Sequence, residues 1–452
     1  MHDSSPSLSH DQAIAIAWSE LQAQGDLLGI PHANLIYYPD AHGSLRLCYR
    51  VAIDLSKPFG YWRVYVDAHK GSILARHNEE LNRKVPRMEK PSLGPRSSYQ
   101  EALARYRARE LASHPQQLHN ELLVGKAHGS GLIFNPDPRT ALQNPSLHKD
   151  SPAAEFEGAY EQHYLLDISF DGSSYFLQGP YVTIADFEPP DTAPSTSTNG
   201  AWLAKRGNNA FSDVMAYYHL DHSQRYLQSL GFHGERGVVN FSIQSDTNAL
   251  GGDDNSHYIP ESKRLAFGQG CVPDTEDADV IVHEYGHAIQ LDIAPNWGEG
   301  DSGAIGEGFG DYWAASSRLS TKNGARFQPY HIFHWDSNVG GDQHCWAGRR
   351  LDVLNARYNP KEHYNAHQGI EGGFIADELW STPLYQSLVQ AMAAGHAKKD
   401  IDRLVIESHF GLGAEVTMPV MAEAVVQTAL MMYPESTIAD IFKNNFHQHL
   451  IL

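Results

Sequence analysis

Only three cysteines, Cys48, Cys271 and Cys345, occur in the 452 residues. None stands in a C-x-x-C pair, and an odd number cannot complete a disulfide framework, so inert or buried thiols are expected. Basic charge is scarce as well: 34 Lys and Arg face 54 Asp and Glu, for a formal charge of -20. Such a surface repels phosphate backbones and anionic lipid, which sets aside a nucleic-acid or membrane-surface partner. No apolar run reaches the roughly 20 residues that a bilayer crossing needs. The opening residues, MHDSSPSLSHDQ, carry neither a basic start nor an apolar stretch, so no signal peptide is visible.

What is present points to a sizeable folded protein. A hydrophobic fraction of 41% supports a large core, and the length suggests more than one folding unit. Residues 11–27 show helical spacing at Ile14, Ala17, Trp18 and Leu21. Three alternating segments follow, ANLIYY, SLRLCYRVAI and YWRVYVDAHKGSILARH, which read as three antiparallel strands. Residues 1–80 therefore form a small α+β domain. Residues 81–150 read as a basic linker and helical connector, with Pro86, Pro91 and Pro95 in its first half. Residues 151–300 hold further strands and the helix that carries His283. Residues 301–452 read mostly as helices.

The chemistry concentrates in VIVHEYGHAIQL, Val280 to Leu291. His283 and His287, four apart, share one face of a helix and can offer two imidazoles to one metal ion. Glu284 sits about 100° round the helix, placed to take a proton from a water activated there. With 26 histidines in the chain, this string arises by chance in roughly one such chain in ten. The string SGAIGEGFGDYWAAS, Ser302 to Ser316, removes most of that doubt. A hydrolytic zinc site needs three protein ligands and an open position. Glu307 supplies the third ligand, and Asp311, one turn on, can orient a ligand histidine. Gly306, Gly308 and Gly310 are poor helix formers that make sense where two helices approach at backbone distance.

H-E-x-x-H followed by E-x-x-x-D resembles the gluzincin zinc metallopeptidases. DADVIVHEYGHAIQ with GEGFGDYWA looks like the fungalysin branch, and SGAI-x-E looks like thermolysin. The first 80 residues resemble the propeptide of that group. The resemblance implies an α+β protein with a thermolysin-like two-lobed catalytic domain, a sheet-bearing N-lobe and a helical C-lobe, preceded by a small propeptide-like domain. It also implies a zinc-dependent endopeptidase made as a self-inhibited precursor, acting on protein or peptide substrates, with its own N-terminal domain as inhibitor. Secretion follows from the resemblance too, although the N-terminus does not corroborate it.

By the same resemblance Asn248-Ala249 is the pair that holds the substrate strand, and His367 the histidine that stabilises the oxyanion. His367 stands two places from the position that counting back from Leu379-Trp380 would give, and His363 is its substitute. Glu362 is a candidate orienting acid. The tyrosine that thermolysin uses beside this histidine falls at Gly298, which leaves the role to Tyr364 or to no residue. Asp253, Asp254 and the acids from Asp274 to Asp277 are candidates for calcium. The rival to a working peptidase is a gluzincin-fold zinc protein whose chemistry has decayed, serving as a binding or structural module.

Overall fold

The computed structural model describes residues 6–24, 27, 31–39, 45–78, 81–82, 99, 101–102, 105, 125–298, 300–338, 345–362, 364–414 and 416–452. Most of the basic connector and His363 lie outside the described residues. The chain divides into two compact units, residues 1–80 with 86–124 and residues 81–85 with 125–452.

In the first unit, helix α1 (His10–Glu20) begins at Ser9, whose hydroxyl accepts the Gln12 N–H while the Gln12 side chain accepts the Ser9 N–H. That reciprocal pair satisfies two otherwise orphaned donors and sets the helix start. Ala13, Ile14, Ala17 and Trp18 are its buried face. The sheet is an antiparallel meander of four strands: β1 (His32–Pro39), β2 (Leu45–Ser56), β3 (Phe59–Asp67) and β4 (Ile73–Asn78). The third expected strand is thus two strands. Asp67 causes the division, because its carboxylate accepts the N–H groups of His69 and Lys70 and folds the chain into a turn.

The second unit is mixed α/β, with its sheets in the N-terminal part and mostly helices in the C-terminal part. One sheet joins β6 (Gly125–Ile133), β7 (Glu161–Phe170), β8 (Tyr175–Phe176), β10 (Thr196–Ser197) and β11 (Ala201–Trp202). The other runs in the order β5 (Leu81–Asn82), β13 (Ser256–Ile259), β14 (Arg264–Phe267), β12 (Ile243–Asp246) and β9 (Val182–Ile184). Here β12 is interior, parallel to both β14 and β9. β13 carries only the short β5 on its outer side, paired antiparallel at His257 and Tyr258.

Helix α2 (Asn209–Ser229), capped by the Asn208 side chain, packs behind the first sheet and against α3 (Ala278–Ile293). Helix α3 starts at Asp277, whose carboxylate accepts the Asp279 N–H. Helix α4 (Asp301–Arg318) lies directly on α3. A Cβ on Gly286 would come within 2.8 Å of Gly310 Cα, and one on Gly310 within 2.7 Å of His283 Nδ1. Gly286 and Gly310 are therefore required by the close approach of these two helices, whereas a Cβ on Gly308 would meet the Asp377 carbonyl oxygen at 2.7 Å. Helices α5 (Ala376–Ala393), α6 (Lys398–Glu407), α7 (Met418–Met432) and α8 (Ile438–Gln448) complete the C-terminal part.

Candidate metal centre

Helix α3 presents His283 and His287 on one side, and α4 presents Glu307 opposite them, all three fully buried. The two Nε2 atoms lie 3.1 Å apart. Each lies 3.4 Å from a different Glu307 oxygen. Ligand atoms about 2.0–2.1 Å from one tetrahedral zinc would stand about 3.3 Å from each other, so these separations match a shared ion.

The surroundings of the ligand atoms point the same way. His283 Nδ1 lies 3.0 Å from Asp311 Oδ1, where an acid behind a ligand imidazole can orient it. Two buried imidazoles gathered against a buried carboxylate make a cluster that a cation would satisfy. Burial disfavours a charged His283, but Asp311 and Glu307 outweigh it and hold its pKa up at about 9. Burial also opposes the Glu307 carboxylate, yet His367, His287 and Arg349 together hold its pKa well below the usual range. The donor set fits zinc: two imidazoles and one carboxylate, with a fourth position open.

Glu284 is fully buried beside these ligands on α3. His367 reaches the same place from the loop before α5, with Nε2 3.7 Å from Glu307 Oε1. Its orienting acid is Asp377, in the first turn of α5, not Glu362. Asp377 Oδ2 lies 2.8 Å from His367 Nδ1, and Asp377 Oδ1 accepts the His367 backbone N–H at 2.9 Å. The backbone bond also holds His367 at φ 58°, a left-handed conformation rare outside glycine. Glu362 instead accepts from Asn359 Nδ2. The Tyr364 hydroxyl accepts the Asn359 N–H.

Arg349 has no signature in the sequence, yet it ties the site together. It is 1% exposed and reaches Asp311 Oδ1 at 2.8 Å, Glu307 Oε2 at 3.0 Å and Asp377 Oδ2 at 3.5 Å. His367 Nδ1 lies 3.1 Å from it as well. Because a guanidinium can only donate and has three carboxylates to donate to, the Nδ1 proton of His367 belongs to Asp377. Nothing in the local run AGRRLDV separates Arg349 from Arg350, which pairs with Asp352 at the surface.

Asn248 and Ala249, expected to hold the substrate strand, do not lie on an edge strand of the sheet. They form the turn after interior strand β12, where Asn248 Nδ2 donates to Thr192 Oγ1 and Ala249 is fully buried. The outer side of that sheet is instead β13, which packs on α3, with the short β5 paired to it near α4.

The calcium candidates are largely committed elsewhere: Asp277 caps α3 and Glu276 pairs with Arg206. Oxygens of Asp254, Asp274 and Asp336 do gather within 4.8 Å of one another, but Ser256 and Trp346 donate to two of these acids. The thiols differ from expectation too, since Cys271 and Cys345 form a disulfide and only Cys48 is a free, buried thiol.

No family model matches the chain. It is 24% identical over 404 residues to the extracellular metalloproteinase MEP of Leptosphaeria maculans, covering 82% of this chain and 55% of that protein. It is 22% identical over 390 residues to extracellular metalloproteinase 3 of Trichophyton tonsurans, with the same coverage of 82% and 55%. The chain thus spans about half the length of the curated relatives it matches. Among solved structures, the precursor of protealysin, a metalloproteinase from Serratia proteamaculans, aligns with a TM-score of 0.42 at 14% identity, over 60% of this chain and 87% of that one. Through the two sequence matches the chain shows weak but consistent homology to the fungal extracellular metalloproteinases, the fungalysins.

Proposed function

We propose that the chain is a zinc endopeptidase, and the observation that carries this is the convergence of His283, His287 and Glu307 with Glu284 beside them. His283, His287 and Glu307 would hold the zinc, which would supply Lewis acidity to a scissile carbonyl and acidify the attacking water. Glu284 takes the proton of that water and passes it to the leaving amine. His367, oriented through Nδ1 by Asp377, presents Nε2 to the oxygen that gains charge. Arg349 and Asp311 keep Glu307 and His283 in place. Substrate adds as a strand beside β13, where main-chain pairing holds it without regard to side chain.

In this reading Leu81–Asn82 already occupies that edge, close to α4, as a substrate would. The first unit then belongs to a precursor whose own chain covers the site. Secretion is supported by the relatives' names and by a disulfide, which persists in oxidising surroundings. The decayed-module alternative rests on Gly298, which offers no hydroxyl to the site.

The test is casein cleavage by the full chain before and after proteolytic nicking within residues 83–98. Cleavage is expected after nicking, lost on treatment with 1,10-phenanthroline and restored by zinc. Cleavage that persists in the chelator sinks the zinc mechanism, and none in either state favours the binding module.

A further inference from the structure

The Cys271–Cys345 disulfide takes no part in the steps above, yet its position bears on the metal site. Its ends are 74 residues apart, and the loop it closes contains α3, α4 and all three candidate ligands. Beside Cys345, the Trp346 ring lies 5.5 Å from that of Phe333, which stands edge-on to the His283 imidazole at 5.3 Å. Trp346 Nε1 also donates to Asp336 Oδ2 at 2.6 Å. The Asp336 N–H in turn donates to Asp277, the cap of α3. The disulfide is therefore joined by one chain of contacts to a ligand imidazole and by another to the start of the ligand helix.

Two further features set this bond apart from an inert staple. Cys271 is held at φ 54°, a left-handed conformation unfavourable to a residue with a Cβ. Both cysteines are partly exposed, so a reductant can reach them, whereas Cys48 is buried and its thiol pKa is pushed up to about 11.

We propose that Cys271–Cys345 is a redox-modification site that governs retention of the metal, an inference that rests on the zinc reading given above. A dithiol reductant is the co-reactant. One of its thiolates attacks a disulfide sulfur, the S–S bond breaks and a mixed disulfide forms. Its second thiol displaces the remaining cysteine. Two electrons and two protons pass to the protein, leaving two thiols, and the reductant becomes a disulfide. Once cut, Cys271 relaxes from its left-handed conformation, Trp346 no longer holds Phe333 against His283, and the metal escapes faster.

The test uses the full chain with Cys271 and Cys345 both changed to Ser, loaded with zinc and mixed with a chromogenic chelator. Zinc release is expected to be about tenfold faster than from the parent, or more, the scale on which loss of supporting contacts weakens metal sites. Cys48→Ala should release zinc at the parental rate. Release within about twofold of the parent, even with a lowered melting temperature, would show a bond that only stabilises the fold and would overturn the proposal. If the double variant does not fold, the parent protein is reduced on immobilised phosphine, its fold checked by circular dichroism, and its zinc release timed in the same way. Faster release from the reduced protein then supports the proposal, and an unchanged rate overturns it. A parent protein that takes up no zinc at all overturns the zinc reading, and this proposal with it. Normal parental uptake with an unchanged release rate overturns this proposal alone.

Discussion

Glu284→Gln is expected to lower peptide hydrolysis by about 10²–10⁴-fold, the usual contribution of a general base, while zinc binding survives. The substitution is nearly isosteric in a fully buried position, so packing changes little. Glutamine keeps an oxygen and a nitrogen near the attacking water but cannot carry its proton away. His283, His287 and Glu307 are untouched, and zinc content by elemental analysis should match the parent. Full hydrolysis by this variant would remove Glu284 from the mechanism. Loss of zinc along with activity would instead mean that its carboxylate helps to hold the ion.

Arg349→Ala is the second substitution with a large expected effect, and it acts on stability as well as on the site. The guanidinium serves Asp311, Glu307 and Asp377, each of which is fully buried. Its removal leaves buried carboxylates uncompensated, a loss of about 3–5 kcal/mol by analogy with broken buried ion pairs. Arg349→Lys should recover only part of this, because one ammonium lacks the planar fork that addresses several carboxylates together. Chemical denaturation and zinc titration of both variants check the expectation. A cost below about 1 kcal/mol for the alanine variant would show that water or a rearranged neighbour takes over the role.

The cluster of His283, His287 and Glu307 was legible in the sequence because a helix turns spacing into geometry. His283 and His287 at i and i+4, and Glu307 and Asp311 at the same interval, specify which side chains share a face before any tertiary contact is known. The glycines of α4 were legible for a related reason, since poor helix formers inside a helix imply a close neighbour. Loops carry no such rule. His367 is found through resemblance, but its acid is expected upstream at Glu362, whereas the chain folds back so that Asp377 supplies it from α5. Arg349 lies on neither helix and serves residues from three separate segments, a role that no local pattern encodes. The pair Asn248-Ala249 was assigned by resemblance, and no local pattern shows that it follows an interior strand rather than lying on an edge. The pairing of the two cysteines is hidden for want of spatial information, since residues 74 apart meet only once the chain has folded.

The most direct measurement is X-ray absorption at the zinc edge, with anomalous diffraction, on the purified chain loaded with zinc. Zinc is expected about 2.0–2.2 Å from His283 Nε2, His287 Nε2 and Glu307, with water in the remaining position. A chain that retains no zinc, or one whose zinc has His367 Nε2 as a fourth protein ligand and no exchangeable position, would contradict a hydrolytic centre.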